Sequence, residues 1–118
     1  MVENEELMAF AESEDDVHVA FCICKNGAYI DWKDVLPDEV LYVPETIFEK
    51  IAPEFMRQLG RDYYGTNGIS GELETILNAE MAVISESRAL QQSKVVINQF
   101  MRKAKSVNAS HYLVFEGP

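Results

Sequence analysis

Hydrophobic and polar positions alternate with a period of two from Val17 to Trp32, VHVAFCICKNGAYIDW, the pattern of a strand buried on one face. Asn26-Gly27 interrupts the alternation with two residues that tolerate positive φ, as a type I′ turn requires. A two-residue turn there predicts a β-hairpin in which Lys25 faces Ala28, Cys24 faces Tyr29, Ile23 faces Ile30, Cys22 faces Asp31 and Phe21 faces Trp32. One side of it carries Val19, Phe21, Ile23, Ile30 and Trp32, an apolar surface that helices or a second sheet must cover. The other side, with His18, Ala20, Cys22, Cys24, Tyr29 and Asp31, is mixed and suggests partial cover.

Beyond the hairpin the period changes. Leu7, Phe10 and Ala11 predict a short helix over residues 3–12, and the acidic run Ser13 to Asp16 separates it from the hairpin. Pro37-Asp38 reads as a turn, followed by a short strand around Val40 to Val43. Ile47, Phe48, Ile51, Phe55 and Leu59 recur at helical spacing, with Pro53 among them. Proline is costly inside a helix and welcome at its first position, so Pro44-Glu45 and Pro53-Glu54 each predict a helix start and Gly60 a C-terminal cap. Residues 61–71, RDYYGTNGISG, read as loop, with Ser70 as a cap for the helix after it. From Glu72 to Val107 the apolar stripe of Leu73, Ile76, Leu77, Met81 and Ile84 does not continue into that of Leu90, Ser93, Ile97, Phe100, Met101, Ala104 and Val107. A straight helix would present opposite sides at its two ends, so a break near Ser85-Glu86-Ser87 is expected. The segment HYLVF, 111–115, predicts a last strand able to join the hairpin. The fold class is α+β: an antiparallel sheet built on the hairpin of about residues 17–32, with helices packed mainly on one face. With 118 residues the chain has the length of a single domain.

Charge adds a functional constraint. The net charge is −10, with 14 acidic and 3 basic side chains in residues 1–54 against 6 acidic and 7 basic in residues 55–118. Such a field repels nucleic acid and anionic membranes and attracts basic protein surfaces. No apolar run approaches the length of a membrane span, and the acidic start MVENEELMAF lacks the basic and then apolar pattern of a secretory signal, so a cytoplasmic location is expected.

Candidate chemistry is sparse. Cys22 and Cys24, two apart on one strand face, should have Cα atoms about 6.5–7 Å apart, at or beyond disulfide reach, and read as thiols. His18, Cys22, Cys24, Asp31 and, through the last strand, His111 are zinc-ligand types, but a CxC on a regular strand holds its sulfurs poorly for a tetrahedron; no metal or other cofactor is expected. The glycines at 65, 68 and 71 do not have the spacing of a dinucleotide-binding loop, and neither histidine lies in a nucleophile motif. Tyr63 and Tyr64 beside Arg61 form the one aromatic and basic grouping, slight support for nucleic acid at a pI near 4.5. The expected function is therefore protein binding without catalysis, most concretely a small acidic inhibitor or immunity protein that neutralises a basic nuclease-like toxin by covering its active site. A small enzyme built on a carboxylate, tyrosine or serine site, and a generic acidic adaptor, are the alternatives. The expected contact surface is Asp34, Asp38, Glu39, Glu45 and Glu49, which flank turns and a helix start where side chains can project from a rigid scaffold.

Overall fold

The structure, a computed structural model, describes residues 17–24, 35–107 and 113–118. The helix expected over 3–12, the Asn26-Gly27 turn with the second hairpin arm, and the residues Asp34 and His111 lie outside the described residues.

The class is α+β. The strands β1 (His18–Ile23), β2 (Val40–Pro44), β3 (Thr66–Gly68) and β4 (Leu113–Glu116) form an antiparallel sheet in the order β2-β1-β4-β3. The first hairpin arm is thus an inner strand. Phe21 stands opposite Leu41 on one side and Phe115 on the other, and Cys22 stands between Val40 and Val114. Both edges of Phe21 and Cys22 are thus filled by β2 and β4. β4 joins β1 as its sequence suggested.

Among the described residues four α-helices run between the strands: α1 (Glu45–Ile51), α2 (Pro53–Leu59), α3 (Gly71–Ala82) and α4 (Arg88–Val107). The pair of short helices starts at the expected prolines. Gly60 ends the second with φ +54°, a conformation that a side chain disfavours. The N-cap of α2 is Ala52, whose methyl group cannot cap; instead Glu80 of α3 accepts the Glu54 amide at 3.0 Å and the Phe55 amide at 2.7 Å. A carboxylate supplied by another helix satisfies two donors at the positive end of α2. Ser70 occupies the N-cap position of α3 but makes no capping side-chain bond. The break between α3 and α4 falls where expected, at residues 83–87, with Ser87 Oγ accepting the Leu90 amide at 3.4 Å.

The core gathers Val19, Phe21, Ile23, Val43, Leu113 and Phe115 from one sheet face with buried side chains of all four helices. Phe115 is its hub: ring centroids of Phe21, Phe48, Phe55 and Tyr63 lie 5.2–5.8 Å from it, within the range where aromatic pairs stabilise beyond their area. The other face of the sheet is buried as well at Ala20, Cys22, Cys24 and Val114, more completely than its mixed composition implied. Cys22 and Cys24 are buried thiols. Among the described residues no helix is long and apolar enough to cross a membrane.

Two features depart from the periodicity. The segment read wholly as loop contains a 3₁₀ turn at Gly60–Tyr64 and the strand β3, three residues whose pairing is imposed by β4. Ile84, counted on the α3 stripe, lies beyond the end of that helix and is exposed.

Candidate functional site: an acidic and aromatic end of the sheet

Antiparallel pairing sorts the acidic residues between two ends of the sheet. His18 pairs with Pro44, Ala20 with Glu116, and Glu116 with Thr66, so the start of β1, the end of β2, the end of β4 and the start of β3 share one end. Glu45 follows β2 there. Asp38 and Glu39 precede β2 at the opposite end, in a 3₁₀ turn over Pro37–Glu39. At about 3.3 Å per strand residue, Glu39 and Glu45 are separated by about 20 Å.

At the first of these ends the chain builds a layered arrangement. Tyr63 is buried against Phe115 and donates its hydroxyl to Glu45 Oε2 at 2.6 Å. Burial first, then the bond to Glu45 and the charges of Glu45 and Glu49, push the Tyr63 phenol far above its ordinary value of 10.0. Tyr63 is therefore a neutral donor that orients Glu45, and a poor proton acceptor at neutral pH. Glu49, one turn on from Glu45, is exposed. Tyr64 packs edge-to-face on Tyr63 with centroids 5.1 Å apart, yet is 73 % exposed.

The approach of the chain's last residues fixes this layer. The Gly117 amide donates to Gly65 O at 3.0 Å, and a Cβ at residue 117 would fall 1.6 Å from Tyr63 O. Only glycine fits between the last strand and the tyrosine pair. Thr66 and Glu116 hydrogen-bond across the same end, and Asn67 donates to Asp62 O at 2.6 Å.

No known protein family, curated protein or solved structure matches the chain.

Of the five expected contact residues, Glu45 and Glu49 are brought together, and Asp38 and Glu39 are brought together elsewhere. Asp38 accepts Lys103 Nζ at 3.2 Å through its carboxylate and at 2.8 Å through its carbonyl. Glu39 Oε1 accepts the Leu36 amide at 2.9 Å, while the Glu39 amide donates to Leu36 O at 2.9 Å, closing the turn. These two carboxylates have work within the fold. Near the end of α4, Lys105 likewise pairs with Glu74 of α3 at 3.2 Å. Sequence reasoning missed Tyr63 as the partner of Glu45, because that contact depends on how the chain around Tyr63 packs against β4. The flanking glycines at 60 and 65 were the one local sign that the tyrosine pair sits in a tight structured turn. Among the described residues no group of three His, Cys, Asp or Glu side chains could hold a metal ion; Asp31 and His111 of the zinc-type set lie outside them.

Proposed function

We propose that the protein is a small cytoplasmic binding module for a basic protein, most concretely an inhibitor or immunity protein that covers the active site of a basic nuclease-like toxin. The observation that carries this is the arrangement of Tyr64, Glu45 and Glu49: an exposed ring on a buried one, beside a carboxylate held in place by a phenol. Exposed tyrosine contributes contact area at small entropic cost, and neighbouring carboxylates match arginine and lysine. The net charge of −10 speeds encounter with such a surface.

The test is a native pull-down with wild-type protein and with Glu45→Lys/Glu49→Lys, followed by assay of the captured protein for nuclease activity. Wild type should retain a basic protein and suppress its activity; the double variant should retain little. Capture of no basic protein, or substrate turnover by this protein alone, would contradict the proposal and favour an enzyme.

A further inference from the structure

Tyr64 combines a clamped main chain with an open ring. The 3₁₀ turn over Gly60–Tyr64 closes with the Gly65 amide donating to Asp62 O at 2.9 Å. The chain at Gly117 runs so close that a Cβ there would come within 3.1 Å of Tyr64 Cα. The ring packs edge-to-face on Tyr63, yet the residue remains 73 % exposed. A single exposed ring needs no explanation by itself; its neighbours set this one apart. Tyr64 and Glu45 both touch the one Tyr63 side chain, the first with ring centroids 5.1 Å apart, the second through the hydroxyl at 2.6 Å. Besides burial and the bond to Glu45, the charges of Glu45 and Glu49 and the Tyr64 phenol act on the Tyr63 hydroxyl, so these groups surround it. Tyr63 occupies one acceptor site on Glu45 Oε2, and a carboxylate offers about four. Among the described residues no lysine or arginine pairs with Glu45 or Glu49; the ion pairs are Arg57–Glu54, Lys103–Asp38 and Lys105–Glu74.

We propose that Tyr64 and Glu45 form a receptor for one arginine side chain of the basic protein partner, its guanidinium stacked on the Tyr64 ring and its paired N–H groups donated to Glu45; this rests on the binding function proposed above. The contacts through Tyr63 keep the ring and the carboxylate no more than about 10 Å apart, and a guanidinium within about 6 Å of the ring, donating at about 2.8 Å, spans that gap. Arginine suits the pair better than lysine does. A planar guanidinium stacks on an aromatic face and presents two parallel N–H groups to a carboxylate at once, whereas an ammonium is a strongly hydrated point charge. The Tyr63 hydroxyl holds Glu45 in place beforehand, and the clamped main chain does the same for Tyr64, so little entropy is lost on binding. Glu49, exposed one turn on from Glu45, adds a second negative charge on the same side of α1. A second copy of this chain, at −10, is repelled from such a surface.

The experiment titrates the isotope-labelled full chain with tetra-arginine and with tetra-lysine, both acetylated and amidated, and follows amide and aromatic shifts by NMR. The two peptides carry equal charge, so general attraction to an acidic protein is the same for both and their difference reads the arginine contact. Tetra-arginine should shift Tyr63, Tyr64 and Glu45 and bind about fivefold or more tightly than tetra-lysine. Tyr64→Leu, which keeps an apolar side chain and removes the aromatic face, should weaken tetra-arginine until the two peptides bind alike, whereas Tyr64→Phe should preserve the difference. Equal affinities in wild type, or a difference that survives Tyr64→Leu, would overturn the arginine receptor while the binding function stands. Peptides that leave the Tyr64 end unshifted, or that shift only the residues around Asp38, would overturn the receptor together with the surface on which the binding function was placed.

Discussion

The two ends of strand β2 carry carboxylates that are alike in sequence and different in situation. Asp38 and Glu39 close a turn and tie it to α4 through Lys103. Glu45 and Glu49 face a tyrosine pair, and the neutral phenol of Tyr63 orients one of them without neutralising it. A carboxylate paired with lysine has its field largely cancelled within the molecule, whereas one held by a hydroxyl keeps its charge and gains a fixed position. Charge counted along a chain therefore says less about a binding surface than the identity of each carboxylate's nearest partner.

The largest perturbation should affect both ends at once. Phe115 touches Phe21, Phe48, Phe55 and Tyr63, so Phe115→Ala is expected to cost about 3–5 kcal/mol in urea denaturation. Gly117→Ala should separate the ends: the Cβ collides with the backbone of Tyr63, with a loss of about 1–3 kcal/mol and amide shift changes around Tyr63, Tyr64 and Glu45 but not around Asp38 and Lys103. Tyr63→Phe removes one hydrogen bond, for about 1 kcal/mol at neutral pH. Its pH signature is more specific. The phenol is pushed above 10.0 in the folded protein, so folding favours its protonated form; that stabilisation is complete below about pH 10 and is lost as pH rises further. The stability difference between wild type and Tyr63→Phe should accordingly shrink above pH 10. Lys103→Ala acts on the other end alone and is expected to cost less than about 1 kcal/mol, an effect that high salt abolishes.

The elements legible in the sequence were those that local chemistry dictates. Prolines at 44 and 53 and glycine at 60 mark two helices, the shift of apolar stripe marks the break after α3, and the alternation around Phe21 marks the inner strand. What was not legible depends on contacts distant in sequence. Nothing in Thr66-Asn67-Gly68 favours a strand until β4 lies beside it. The cap of α2 comes from Glu80, 26 residues from the Glu54 amide, and Lys94 is a charged residue on the apolar face of α4 whose burial is tolerated because its ammonium reaches Val83 O. The candidate site was half legible for the same reason. Glu45 and Glu49 are one helical turn apart and were read together, whereas Tyr63 reaches Glu45 across 18 residues, and β2, lying between the two acidic pairs, sends Asp38 and Glu39 to the far end of the sheet.

Association kinetics with the captured basic partner, measured from low to physiological salt, test the difference between the two ends most directly. Glu45→Lys/Glu49→Lys should slow association about tenfold or more and flatten its salt dependence, while Asp38→Lys/Glu39→Lys changes it far less. Equal slowing by both double variants, or a larger effect from the Asp38 end, would contradict the assignment of binding to the tyrosine end of the sheet.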